Sequence, residues 1–207
     1  MDNKIIVTIS REFGSGGRKI AEDVANRLNI EYYDNAIVEK VAQKTGFSKD
    51  YIEENDQKLT GNSLFNFSVP GSYSSSMVFG NSESLQDTMF FTESNIIKDL
   101  AYKSSCVIVG RCADYVLSKM PNCLNVFIYS DIDSKIRRVV EDYKIEDSNI
   151  EKLLKDRDKI RSKHYQYYTG RTWGDCHNYD LSINSDFVGL DTAVNIITEV
   201  ALKRLNK

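Results

Sequence analysis

The chain has 207 residues, of which 41% are hydrophobic and 28% charged, so its length and composition are those of a folded domain with a sizeable core. A formal net charge of −3 argues against a nucleic-acid-binding surface but is compatible with a local basic pocket. No apolar run approaches the roughly 20 residues that span a bilayer, and the chain opens with a strand pattern rather than a signal peptide. The four cysteines form no C-x-x-C pair. We therefore expect a cytoplasmic protein with free thiols.

A glycine-rich turn lies between the first two predicted elements. Residues 4–9 predict a buried strand and residues 18–28 an amphipathic helix, with Gly14-Ser15-Gly16-Gly17 between them. Glycines allow backbone N–H groups to turn towards an anion, and the positive end of the helix dipole adds to the attraction. The pattern predicts a phosphate-binding loop; the alternative is a turn that only connects the strand to the helix.

This loop departs from the standard P-loop, G-x-x-x-x-G-K-[ST]. When residues 14–16 are laid on the last glycines of that motif, Gly17 falls on the lysine and Arg18 on the magnesium-binding hydroxyl. Arg18 would be a source of the missing charge, although a planar guanidinium is not equivalent to an ammonium group.

The next segment contains a short strand, a helix and a long irregular stretch. Residues 30–34 predict the strand, and Asn35 is expected to cap a helix that ends before Gly46. Residues 55–90 combine glycine, proline and many serines with scattered aromatic residues, and they are too long for an ordinary connection. We expect this segment to be functional, mobile or in contact with a partner, including a second copy of the chain in a homo-oligomer.

The second half alternates regularly between helices and strands. The uninterrupted apolar run at residues 106–109 is typical of a strand buried on both faces of a parallel sheet. The pattern predicts helices over 91–103 and 112–119, a helix from 132, and a helix over 148–168. It also predicts strands over 124–129 and 179–183 and a closing helix from 190. About five strands alternating with helices indicate a three-layer α/β sandwich with a mostly parallel sheet, whose ligands bind at the carboxyl ends of the strands.

Several arginines have the positions that phosphoryl transfer would need. Arg111 follows the apolar strand and Gly110, where it could clamp a phosphate or simply face solvent. Arg157 and Arg161 lie four residues apart on one helix face, as phosphate-binding cations or as part of a solvated, ion-paired surface. The aromatic-rich residues 164–174 suit a lid that excludes water, or the packing of a helix end.

Two acidic residues near strand ends are further candidates. Asp34 and Asp114 would bind substrate hydroxyl or amino groups, or hold Mg²⁺ through water. The alternative for both is a helix-capping role.

Taken together, these segments resemble the nucleoside monophosphate kinases, and most of all the bacterial cytidylate kinase-like proteins. The resemblance is carried, in order along the chain, by residues 9–18, 32–34, 107–114, 167–174 and 178–184. It implies a single domain over residues 1–207 with a P-loop kinase fold, in which residues 55–90 form a substrate-binding insertion and residues 155–175 a helical lid.

The resemblance also implies residue roles. ATP phosphates would bind to Gly14, Ser15, Gly16, Gly17, Arg18 and Lys19. The acceptor would bind to Asp34, Asn35, Arg111 and Asp114. Arg138 would lie on the adenine side. Arg18, Arg157 and Arg161 would be the catalytic cations, while the Mg²⁺ ligands are unassigned. The expected reaction is transfer of phosphate from ATP to a nucleoside monophosphate, with CMP or dCMP as the leading acceptor. A kinase for another small metabolite and a non-catalytic nucleotide-binding protein are the alternatives.

Overall fold

Five parallel strands form the centre of the protein in a computed structural model, which describes residues 4–48, 52 and 85–205. The sheet has the order β2-β3-β1-β4-β5, so β1 lies in the middle. Val7 of β1 is in register with Val107 on one side and Leu124 on the other. The strands are β1 (Ile6–Arg11), β2 (Glu31–Tyr33), β3 (Cys106–Val109), β4 (Cys123–Tyr129) and β5 (Leu181–Asn184).

Helices connect these strands in chain order. Those of the described residues are α1 (Gly17–Leu28), α2 (Asn35–Thr45), α3 (Leu85–Lys103), α4 (Ala113–Val116), α5 (Ile132–Glu141), α6 (Ile150–Thr169), α7 (Ser185–Val188) and α8 (Leu190–Leu205), with a 3-10 turn at Cys176–Asn178. Within the described part of the chain, none of them is long and apolar enough to cross a membrane.

The two faces of the sheet are both buried, because successive side chains of a strand point to opposite faces. Val7 and Ile9 of β1 pack in one apolar core with α1 and α8. Ile6 belongs to a second core on the other face, formed with α2 and α3. The expected three-layer α/β sandwich with five parallel strands is therefore confirmed.

Some element bounds differ from the sequence-based expectation. β1 extends to Arg11, two residues further than predicted, so it runs directly into the glycine loop. α3 begins at Leu85, which makes residues 85–90 of the expected insertion helical; residues 55–84 of that insertion lie outside the described residues. Asp34 rather than Asn35 occupies the cap position of α2, and its side chain makes no capping hydrogen bond.

All four cysteines have free thiols, as expected. Cys106, Cys112 and Cys123 are buried, and Cys176 is exposed. Burial raises the pKa of Cys106 and of Cys123 to about 12, which keeps both thiols protonated and unreactive at neutral pH.

Candidate active site

The glycine loop connects the end of β1 to the start of α1 at the carboxyl edge of the sheet. Gly14 and Gly16 adopt left-handed backbone conformations with φ of 79° and 78°, which favour glycine. The carbonyl oxygen of Gly14 accepts a hydrogen bond from Arg138 (3.2 Å), and that of Ser15 accepts one from Ser185 (2.6 Å). The side chains of Arg138 and Ser185 thus fix the loop at the N-terminus of a 12-residue helix, where the helix dipole favours an anion.

Charged residues from α5 and α6 contact this loop. Lys135 Nζ lies 2.9 Å from Glu12 Oε2 and 3.7 Å from Asp158 Oδ2. Asp158 Oδ1 accepts a hydrogen bond of 2.7 Å from the backbone N–H of Phe13. Burial raises the pKa of Asp158, opposed by the Phe13 N–H and then by Arg161. A carboxylate from the expected lid thus binds an N–H group of the loop, as a phosphate oxygen would.

The two arginines of α6 lie over the same loop. Their guanidinium carbons are 5.9 Å (Arg157) and 5.5 Å (Arg161) from the centre of the Phe13 ring, within the range of a cation–π contact. Arg161 also donates a hydrogen bond of 3.1 Å to the carbonyl oxygen of Arg11. The structure therefore brings both candidate lid cations to the loop, while Tyr168, further along α6, stacks on Phe90.

The side chains of Arg18 and Lys19 pair with residues of α1 and of the start of α2. Arg18 donates to Asp34 Oδ2 (2.6 Å) and to Asn35 Oδ1 (3.3 Å), linking the loop to the start of α2. Lys19 is exposed and pairs with Asp23 at 2.8 Å along α1. Arg18, Asp34 and Asn35 thus form one group, although the resemblance assigned them to two sites.

The turn after β3 forms the other side of the site. Gly110, Arg111 and Cys112 all have positive φ, of 70°, 55° and 53°, which is unusual for two consecutive residues with side chains. Arg111 is buried and forms an ion pair with Glu93 of α3, which is also buried. Cys112 Sγ lies 3.6 Å from Nδ1 of His164. Buried side-chain pairs therefore hold this turn in place.

Asp114 follows this turn and is almost completely buried. Its Oδ2 accepts a hydrogen bond of 2.6 Å from the hydroxyl of Tyr165 on α6, while Oδ1 has no hydrogen-bond partner. Burial raises the pKa of Asp114, and the Tyr165 hydroxyl opposes that shift. An unsatisfied, buried carboxylate oxygen is a group that a polar ligand would stabilise.

A small pocket lies between the end of β1, the turn after β3 and α6. Arg11, Arg111 and Arg161 line it together with His164 and Tyr165. Burial and then the nearby charge of Arg11 lower the pKa of Arg161 to about 9, which leaves the guanidinium protonated at neutral pH. Three cations around one small pocket make it suitable for an anion.

Sequence reasoning identified Arg111, Asp114 and Arg161 but none of their partners. Glu93 and Lys135 contact the site from other helices, and no local pattern marks them; Tyr165 lies in the aromatic-rich segment 164–174, but its bond to Asp114 has no local signal. Arg11 did have a local signal, because it lies three residues before Gly14. Which way its side chain points, however, depends on where β1 ends.

Comparisons with known proteins agree with this architecture. The cytidylate kinase-like family matches residues 6–187, while no curated protein matches the chain. The fold is similar to that of an uncharacterized protein from Eubacterium ventriosum (TM-score 0.70, 28% identity, covering 96% of this chain and 98% of that one).

Two shikimate kinases also have this fold. The enzyme from Acinetobacter baumannii, in complex with shikimate, has a TM-score of 0.55 at 14% identity over 97% of this chain and 94% of its own. The enzyme from Bacteroides thetaiotaomicron has a TM-score of 0.56 at 12% identity over 95% and 97%. With a P-loop kinase fold and a family match over most of its length, the chain belongs to the cytidylate kinase-like family.

Proposed function

We propose that this protein is a kinase that transfers the γ-phosphoryl group of ATP to a nucleoside monophosphate, with CMP or dCMP as the preferred acceptor. The observation that carries the proposal is the pocket lined by Arg11, Arg111 and Arg161, which lies at the carboxyl edge of the sheet where β1 ends and leads into the glycine loop. The loop suits the phosphates of a donor, and the pocket suits a phosphate between donor and acceptor. Membership of the cytidylate kinase-like family supports the same reaction.

The donor would lie along the loop. Gly14, Ser15, Gly16 and Gly17 would bind ATP phosphates through their backbone, with Arg18 and Lys19 adding positive charge at the start of α1. Arg138 would lie on the adenine side, which its contact with Gly14 supports. The left-handed conformations of Gly14 and Gly16 support a loop shaped by its backbone rather than by side chains.

The acceptor would lie on the other side of the pocket, on Asp34, Asn35, Arg111 and Asp114. An oxygen of the acceptor phosphate attacks the γ-phosphorus of ATP. The bond from that phosphorus to the bridging oxygen breaks, and its electron pair leaves with ADP. Arg157 and Arg161 of α6 would offset the negative charge that develops, since phosphoryl transfer depends mainly on positioning and electrostatics.

Magnesium would arrive with ATP and shield its phosphates during transfer. The hydroxyl that usually binds this ion is replaced by Arg18, whose guanidinium is bound to Asp34. Glu12 and Asp158 are carboxylates beside the loop, and carboxylates with phosphate oxygens and water are suitable ligands for Mg²⁺. Both carboxylates are paired with Lys135, so they would hold the ion only after this ammonium group has moved away.

The direct test is ADP release from Mg-ATP by purified protein with CMP, dCMP, UMP, AMP, GMP, shikimate or no acceptor. We expect turnover that depends on CMP or dCMP and that exceeds turnover without acceptor by at least tenfold. Turnover with a non-nucleotide alone would contradict the proposed acceptor class, and no turnover with any acceptor would contradict the kinase proposal.

A second candidate function has one specific observation in its favour. Arg111 is already paired with buried Glu93, so an acceptor phosphate would compete with a protein carboxylate for this cation. A different small metabolite as acceptor, or nucleotide binding without transfer, would fit such a neutralised group. Tight ATP binding by calorimetry, without ADP release, would favour the binding protein.

A further inference from the structure

Glycine and cation have exchanged places at the two ends of the loop motif. The standard motif begins with glycine and has its lysine six residues later. With Gly16 on the second glycine of the motif, Arg11 stands at the first glycine and Gly17 at the lysine. The chain therefore keeps one glycine and one cation, but at opposite positions.

The structure gives a steric reason for this exchange. Arg11 ends β1 and Gly17 begins α1, and the two backbones lie close together. A Cβ on Gly17 would lie 2.5 Å from Cβ and 3.0 Å from Cγ of Arg11, and 3.3 Å from Cβ of Ile128. A Cβ contact below 3.0 Å does not occur without a shift of the backbone. Only one of positions 11 and 17 can therefore carry a long side chain.

The Arg11 side chain crosses Gly17 and reaches the turn after β3. A Cβ on Gly110 would overlap Nη1 of Arg11, so this second glycine also leaves room for the guanidinium. At this point Arg11 lines the pocket with Arg111 and Arg161. The positive charges of Arg11 and Arg161 oppose each other there, and a bound anion would relieve that repulsion.

We propose that Arg11 is the phosphate-binding catalytic cation of this kinase, in the role that the lysine of a standard P-loop fills on the β- and γ-phosphates. This inference rests on the proposed function, because it assigns the phosphate of that reaction to this pocket. A guanidinium offers several N–H donors in one plane and can bind two phosphate oxygens at once, whereas a lysine acts as a point charge. Positions 11 and 17 are adjacent in space, which explains how the cation of the motif could stand at position 11 instead of position 17 without a change of fold.

The test uses the whole chain with four variants. Arg11→Gln keeps most of the length but removes the charge, and Arg11→Gly removes the side chain. The exchange variant Arg11→Gly/Gly17→Lys restores the first glycine and the lysine of the standard motif. Arg27→Ala is the matched control, because it removes an exposed arginine at the far end of α1. Dissociation constants for ATP and inorganic pyrophosphate are measured by calorimetry, kcat and KM with the active acceptor, and folding by thermal unfolding.

We expect Arg11→Gln and Arg11→Gly to weaken ATP and pyrophosphate binding about tenfold and to lower kcat about 100-fold or more, as expected for losing one preorganised donor. The exchange variant should recover at least tenfold in kcat over Arg11→Gly, and Arg27→Ala should match the unmodified protein. If Arg11→Gln does not fold, the comparison of Arg11→Gly with the exchange variant carries the test.

The assignment of Arg11 would be wrong if Arg11→Gln bound both ligands and turned over within twofold of the unmodified protein. It would equally be wrong if the folded exchange variant were no better than Arg11→Gly in binding or turnover. Failure of the proposed function is distinguishable, because the unmodified protein would then bind ATP without releasing ADP. In that case the two dissociation constants alone decide whether Arg11 binds phosphate.

Discussion

The turn after β1 and the turn after β3 lie side by side at the carboxyl edge of the sheet, but they reach left-handed conformations by different means. The first places glycine at its left-handed positions, Gly14 and Gly16, where this conformation carries no steric cost. The second uses Arg111 and Cys112 as well as Gly110, and each of these two contacts a buried partner. The conformation of the first turn thus has little steric cost, whereas that of the second must be offset by the buried contacts of Arg111 and Cys112.

The largest expected effect comes from breaking the second turn at its ion pair. Arg111→Ala removes the cationic partner of buried Glu93 and should lower the free energy of unfolding by about 3–5 kcal/mol, because a buried charge is costly without its counterion. Urea unfolding measures this change. In the matched double variant Arg111→Met/Glu93→Gln both charges are removed, and most of the stability should return. A loss below 1 kcal/mol in Arg111→Ala would show that the pair does not hold the turn.

Gly14→Ala tests the first turn, with a smaller expected loss of about 1–2 kcal/mol from the left-handed conformation. Its Cβ would also lie 3.0 Å from the carbonyl oxygen of Lys135, so the loop or α5 must move by a few tenths of an ångström and ATP affinity should fall. Gly46→Ala is the control, since its φ of 76° is similar and nothing lies within 4 Å of its Cβ. Calorimetry should show unchanged ATP affinity in Gly46→Ala; equal affinity in both variants would contradict a phosphate-binding loop.

Asp114, which follows the second turn, should make the stability of the protein depend on pH. Because the folded state raises the pKa of this group, folding favours its protonated form. Stability from this residue is therefore lost as the pH rises from about 4, the ordinary value, through the raised pKa. Asp114→Asn should remove this loss, so its advantage over the unmodified protein should grow between pH 4 and pH 8 in urea unfolding.

Tyr165→Phe is the companion variant for that experiment. It removes the hydroxyl that favours the charged carboxylate, so the loss of stability with rising pH should become steeper. An Asp114→Asn variant whose stability stays parallel to that of the unmodified protein at every pH would refute the shift at this residue.

The smallest stability effect is expected at Arg18, whose side chain is 58% exposed. Arg18→Ala should lower the free energy of unfolding by about 1 kcal/mol or less, as for other exposed ion pairs. The proposed role of Arg18 nevertheless predicts a clear fall in kcat, measured by ADP release. Arg27→Ala again serves as the control, and full activity in Arg18→Ala would remove Arg18 from the mechanism.

The sequence predicted the fold well because its signals are local. The apolar run at Cys106–Val109 and its spacing from the other strands indicated a buried parallel sheet, and β3 has the predicted bounds. The start of α3 was missed by six residues, because the segment before it reads as irregular. The candidate cations Arg157 and Arg161 were predicted from their spacing on one helix face, and both lie over Phe13.

The sequence by itself therefore determined the strand–helix alternation, the glycine loop and the family, since each depends on neighbouring residues. Only the tertiary structure decided the partners of the site residues. It paired Arg111 with Glu93 and Asp114 with Tyr165, and it brought Gly17 so close to Arg11 that only one of them can carry a side chain. The physical reason is that ion pairs and steric exclusion depend on distances in space, and those distances exist only after the strands have taken their order in the sheet.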